Sequence, residues 1–79
     1  MTRLTVVSST QMARILRHLG FELVRQKGSH AYFKHPDGRA TVVPMHRGED
    51  LGRGLIRAIL RDIEIAPDEF ERFRREPRA

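Results

Sequence analysis

Apolar residues near the start of the chain recur at helical spacing. Met12, Ile15, Leu16 and Leu19 fall at i, i+3, i+4 and i+7, which puts them on one stripe. Ser8 or Ser9 supplies an N-cap, Gln11 stands three residues after Ser8 where a capping box needs it, and Gly20 stands where a C-cap belongs. This predicts a helix from Ser9 to Leu19. From Phe21 the period drops to two: Phe21, Leu23 and Arg25 alternate with Glu22, Val24 and Gln26, the pattern of a strand. Gly28-Ser29 signals a turn. His30 to His35 and Ala40 to Val43 then flank Pro36-Asp37-Gly38-Arg39, a hairpin signature with Asp-Gly at its tip. Pro44, which has no N–H for the ladder, ends the third strand.

A polar, glycine-rich connector runs from Gly48 to Gly54, with Glu49 or Asp50 placed to cap the next helix. Leu55, Ile56, Ile59, Leu60 and Ile63 mark that second helix. Pro67 suits a first helical position after Ala66, and Phe70 and Phe73 anchor a short third helix. Arg74 to Ala79 is a charged tail containing Pro77 and is expected to fray. The order predicts an α+β fold of two layers, α-β-β-β-α, with a three-stranded antiparallel sheet and the helices on one face. The other face is left free for a ligand. One domain is expected over residues 1–79, with its core at about 6–73.

The 79 residues leave room for one compact domain. A domain of this size buries only about 60–65% of its unfolded surface, so its core must be economical. With no cysteine, disulfides, thiolate zinc sites and cysteine nucleophiles are all excluded. No apolar stretch approaches the roughly 20 residues of a membrane span. Met1 to Val7 is too short and polar for a signal peptide, and no small-residue cleavage site comes after it. The expectation is a soluble cytoplasmic protein. The net charge of +5 comes mainly from arginine, since Lys27 and Lys34 are the only lysines. Arginine's planar fork matches phosphate oxygens in pairs, which points to a nucleic acid; an acidic protein would satisfy the same charge.

A two-residue Asp37-Gly38 loop would set Pro36 against Arg39, Phe33 against Val42 and His30 against Met45. His46 would lie one residue away, with Lys27 and Arg47 at the same end of the hairpin, beside Gly28 and Ser29. Such a cluster suits RNA cleavage. The ribose 2′-hydroxyl is a built-in nucleophile, histidine titrates near working pH, and Lys27 or Arg47 can offset charge growing on the phosphorane. A lone histidine on a strand is more often structural than catalytic. His35 beside the turn and His18 on the polar side of the first helix read as surface residues. Zinc is not expected: His30, His35 and His46 lack both a cysteine and a well-placed carboxylate to complete a tetrahedral site. Ser29 and His30 are adjacent on a strand and point to opposite faces, which argues against a serine–histidine dyad. Gly52-Arg53-Gly54 opens a helix and can meet a phosphate, but it is not a P-loop.

The run from Leu19 through Gly20-Phe21 and Lys27-Gly28-Ser29-His30 resembles the HicA toxin family, whose signature is a Gly-Phe strand running into a Gly-Ser-His turn. The likeness continues through His35-Pro36-Asp37-Gly38, Val43-Pro44, His46 and the glycine-containing entry to the second helix, and spans roughly Val6 to Phe73. It implies a fold like the double-stranded RNA-binding domain. It also implies an mRNA interferase: an endoribonuclease that cuts mRNA without a metal and blocks translation, as the toxin of a type II toxin–antitoxin system. The catalytic histidine of that motif falls on His30, with Lys27, Gly28, Ser29, His46 and Arg47 as RNA-binding neighbours. The implied partners are mRNA and a HicB-type antitoxin that covers the site. Two departures stand out. The family's Gly-Thr at the second helix reads Gly54-Leu55 here, which removes a hydroxyl that caps the helix or touches RNA. Asp62-Ile63-Glu64-Ile65 lacks the usual glycine turn, so that helix is expected to run longer or end differently.

Overall fold

A computed structural model describes residues 4–75 of the chain. Helix α1 (Ser9–His18) starts from a full capping box. Ser8 Oγ accepts the Gln11 N–H at 3.1 Å, and the Ser8 N–H donates to Gln11 Oε1 at 2.9 Å. Ser8 is therefore the cap. Ser9 is buried instead, and its hydroxyl donates to the His46 carbonyl at 3.3 Å. The helix closes through Gly20 at φ +97°. The Gly20 N–H reaches the Arg17 carbonyl at 3.0 Å and the Phe21 N–H reaches the Leu16 carbonyl at 2.9 Å, which is a Schellman motif. That closure turns Phe21 into the core, so the first strand begins one residue later than the alternation suggested.

Strands β1 (Glu22–Lys27), β2 (His30–Lys34) and β3 (Ala40–Pro44) form an antiparallel sheet in that order. The β2–β3 loop holds three residues where two were expected. The His35 N–H donates to the Arg39 carbonyl at 2.8 Å, and Pro36, Asp37 and Gly38 span the gap, with Gly38 at φ +104°. Asp37 clasps this loop: its Oδ1 accepts the Arg39 N–H at 3.0 Å and its Oδ2 accepts Arg39 Nε at 2.8 Å. The backbone bond from Arg39, with help from its guanidinium, holds the Asp37 carboxyl below its ordinary pKa. The longer loop shifts the register by one residue, so Phe33 faces Thr41 and His30 faces Pro44, not Val42 and Met45. On the other side, Leu23 pairs with Phe33 while Arg25 pairs with Tyr32. Val24 is thus an extra residue, a bulge, and it turns Arg25 away from the face shared by Leu23.

Ala31, Phe33, Thr41 and Val43 form the buried sheet face. Against them pack Met12, Ala13, Ile15 and Leu16 of α1 and Ile56, Ile59, Leu60 and Ile63 of α2 (Arg53–Ile63). Both helices lie over β3, and every residue of β1 is exposed. The expected two-layer α+β architecture holds, with the helical layer displaced toward one edge. Gly52 caps α2 without a side chain; Asp50 instead bridges to Ser8, and the Leu51 N–H donates to the Val7 carbonyl at 2.8 Å. This pairing brings Leu4 and Val7 into the core. Leu55 is 37% exposed and stands off the apolar stripe. The helix still stops at Ile63, because Glu64 adopts the left-handed conformation (φ +59°) that glycine would otherwise supply.

Helix α3 (Pro67–Arg75) begins at Pro67 and buries Phe70, while Phe73 lies edge-on to His18 at 5.5 Å. Arg74 and Arg75, expected in the charged tail, belong to this helix, and residues 76–79 of that tail lie outside the described residues. Among the described residues no helix is long and apolar enough to cross a membrane. His35 departs from its surface reading. It is half-buried, meets Phe21 edge-to-face at 5.0 Å, and its Nδ1 accepts the Asp37 N–H at 3.1 Å.

Candidate active site on the open sheet face

The β1–β2 turn determines what stands beside His30. Gly28 and Ser29 are its two central residues, and Gly28 takes φ +59°. A two-residue hairpin of type II′ requires glycine at that first position, because an L side chain there is strained. The tight turn sets Lys27 directly opposite His30. Opposed residues hold their Cβ atoms about 4.5–5.5 Å apart, so ammonium and imidazole share one patch of surface.

Along β2, His30, Tyr32 and Lys34 alternate with buried Ala31 and Phe33. They therefore project from the face that no helix covers. His30 is exposed there and pairs with Pro44 on its other side. Tyr32 lies between Arg25 and Val42, and the Arg25 guanidinium sits over its ring at 5.8 Å from the centroid. Lys34 faces Glu22 and Ala40. The uncovered face thus carries a histidine, a tyrosine and three cations against one carboxylate.

His46 and Arg47 are exposed on the connector just past β3. The register shift places Met45 opposite Ser29, with the Met45 N–H donating to the Ser29 carbonyl at 2.6 Å. His46 consequently falls level with the turn, not beside His30, and it makes no hydrogen bond to His30 among the described residues. The expected cluster is drawn together in part. Lys27 and His30 are paired, Gly28 and Ser29 form the turn next to them, and His46 and Arg47 stand at the same end of the sheet without joining the pair.

The family model for the HicA toxin of bacterial toxin–antitoxin systems matches residues 9–65, from the first residue of α1 to just past α2. The chain belongs to the HicA toxin family. No curated protein matches it at a significant level. Membership makes the chain a toxin with an antitoxin partner, and it places the Gly-Phe corner, the Gly28-Ser29 turn and His30 inside the matched region.

The sequence reading missed Arg25, Tyr32 and Lys34 as members of this HicA surface. Tyr32 and Lys34 were recoverable, since they stand at i+2 and i+4 from His30 and must share its face. Arg25 was not, because its face depends on the Val24 bulge. Among the described residues, no three His, Asp or Glu side chains gather closely enough to hold a metal ion.

Proposed function

We propose that this HicA chain is a metal-independent endoribonuclease that cleaves mRNA and so blocks translation in the cytoplasm, with His30 as its general acid or base. The observation that carries the reading is His30 exposed on the uncovered sheet face, in register with Lys27. In the reaction, imidazole takes the proton of a ribose 2′-hydroxyl. That oxygen bonds to the adjacent phosphorus, the bond to the 5′-oxygen breaks, and the leaving oxygen takes up a proton. The products are a 2′,3′-cyclic phosphate and a free 5′-hydroxyl. Lys27 steadies charge on the phosphorane, the tight turn at exposed Gly28 and half-buried Ser29 lets a phosphate approach closely, and His46 and Arg47 hold the strand beyond the turn. A HicB-type antitoxin with an acidic face would silence the toxin by covering His30.

Purified protein incubated with mRNA in EDTA tests this. The expected result is endonucleolytic cleavage that falls about 10²–10⁴-fold in His30→Ala. RNA left intact by the wild-type chain, or equal growth of strains expressing wild type and His30→Ala without antitoxin, would overturn the reading. Lys27→Ala should weaken binding to single-stranded RNA and reduce the slope of log K against log salt by about 0.7, the value of one phosphate contact.

A further inference from the structure

Cleavage at a ribose moves two protons: one leaves the 2′-hydroxyl and one reaches the departing 5′-oxygen. In an in-line displacement these two oxygens lie on opposite sides of phosphorus, so the groups that hydrogen-bond them stand roughly 6–8 Å apart. One imidazole cannot reach both at once. Alternate residues of a strand are about 7 Å apart and share a face. A partner for His30 therefore belongs one such step away on the open sheet face.

Tyr32 occupies that position. It is half-buried between Arg25 on β1 and Val42 on β3, and the Arg25 guanidinium over its ring, 5.8 Å from the centroid, restrains it. Strand side chains rise roughly perpendicular to the sheet, which sets phenol and imidazole side by side. Among the described residues the Tyr32 hydroxyl has no hydrogen-bond partner, so no structural bond must break for it to meet a substrate.

The other protic groups of this surface stand elsewhere. Lys34 is a further step along β2, about 13 Å from His30, and faces Glu22. His46 and Arg47 lie past the β1–β2 turn, on the other side of His30 from Tyr32. Lys27 and Arg25 face His30 and Tyr32 across the ladder. A phosphate set over His30 and Tyr32 has these two cations beside its non-bridging oxygens, not at its two reacting ends.

We infer that Tyr32 is the general acid of this site: His30 takes the proton of the 2′-hydroxyl, and the Tyr32 hydroxyl gives its proton to the 5′-oxygen as the bond from phosphorus to that oxygen breaks. A phenol keeps its proton at neutral pH, whereas neutral imidazole is ready to accept one, which sets the direction of the two transfers. The imidazolium then releases a proton to water and the phenolate takes one up, so the protein is returned unchanged. The inference rests on the ribonuclease reading and adds a second catalytic residue to it.

The test uses a short RNA spanning a cleavage site mapped on mRNA, made once in natural form and once with sulfur in place of the scissile 5′-oxygen. A thiolate departs without being protonated, because thiols are far more acidic than alcohols. Cleavage is followed with the full-length protein in excess over RNA, after circular dichroism has shown that each variant folds. Tyr32→Phe keeps the ring and its Arg25 contact, so it should bind both RNAs as wild type does. It should cut the natural RNA about 10²–10⁴-fold more slowly than wild type, yet cut the sulfur RNA within about threefold of the wild-type rate. His30→Ala should be slow on both. A Tyr32→Phe variant that cuts the natural RNA at the wild-type rate overturns the inference and leaves the ribonuclease reading standing. An equal deficit on both RNAs does the same, because the hydroxyl would then position RNA without protonating it. Wild-type protein that leaves mRNA intact overturns the ribonuclease reading, and the inference with it.

Discussion

Gly20→Ala is a sharp test of how the Gly-Phe corner is built. Gly20 sits at φ +97°, and a Cβ placed there would stand 2.9 Å from His35 Nε2 and 3.2 Å from its Cδ2. The left-handed backbone costs an L residue about 1–2 kcal/mol, of which roughly half is offset because glycine loses more chain entropy on folding. The contact adds to this. The His35 ring cannot retreat without giving up its edge-to-face packing on Phe21 or the Asp37 N–H bond to its Nδ1, each worth about 0.5–1.5 kcal/mol. The expected total is about 2–3 kcal/mol, a large part of the stability of so small a domain. It corresponds to a fall in Tm of about 10–20 °C. Thermal and urea melts followed by circular dichroism should be run in the wild-type and His35→Ala backgrounds. With the ring removed only the backbone strain remains, so Gly20→Ala should then cost about 1 kcal/mol. A Gly20→Ala cost below about 0.5 kcal/mol refutes the strain argument, and an equal cost in both backgrounds refutes the role given to His35.

Two further predictions concern the helical layer. Glu64→Gly should raise stability by about 0.5–1 kcal/mol, because Glu64 closes α2 at φ +59° where glycine carries no steric cost; a lower Tm would refute this. Glu71 ties α3 to the start of the chain by accepting the Thr5 N–H at 2.9 Å and Arg74 Nε at 3.0 Å. Partial burial pushes its pKa up, but the Thr5 backbone bond and Arg74 outweigh it, so the folded value lies below the ordinary 4.5. The stability it adds is therefore complete above about pH 4.5 and is lost as pH falls through the lower folded value. The gap in Tm between wild type and Glu71→Gln should close over that acid range, and a gap constant with pH would contradict the assignment.

The elements legible in the sequence were those whose signals are local. Ser8, Gln11 and Gly20 mark both ends of α1 through bonds made within a few residues, and the structure contains every one of those bonds. The loop after β2 was misread because Asp37-Gly38 alone describes a two-residue turn. What selects three residues is the Asp37–Arg39 clasp, reinforced by a hydrogen bond from the Arg39 guanidinium to the Ile63 carbonyl on α2 and by its place over the Phe21 ring. Those partners are 24 and 18 positions away in the chain. The cap of α2 was misread for a similar reason: the backbone at Asp50 and Leu51 pairs with that at Ser8 and Val7, which leaves Gly52 as the cap, and no window around residue 50 reveals that pairing.

These two kinds of signal explain why the face that His30 occupies is determined within its own strand while its surroundings are not. The face a strand residue occupies is set by its own strand, and Ala31 and Phe33 bury the side opposite His30 whatever the register. A one-residue change in loop length leaves His30 where it is and replaces only its neighbour, Met45 giving way to Pro44. Arg25 is the reverse case. Its face depends on whether Val24 is counted in the ladder, which is settled by pairing with β2 and not by the β1 sequence. A candidate catalytic residue can thus be read from alternation within a single strand, but the cations and rings that would handle its substrate depend on cross-strand register. The surface around His30 consequently became visible only once three strands were aligned.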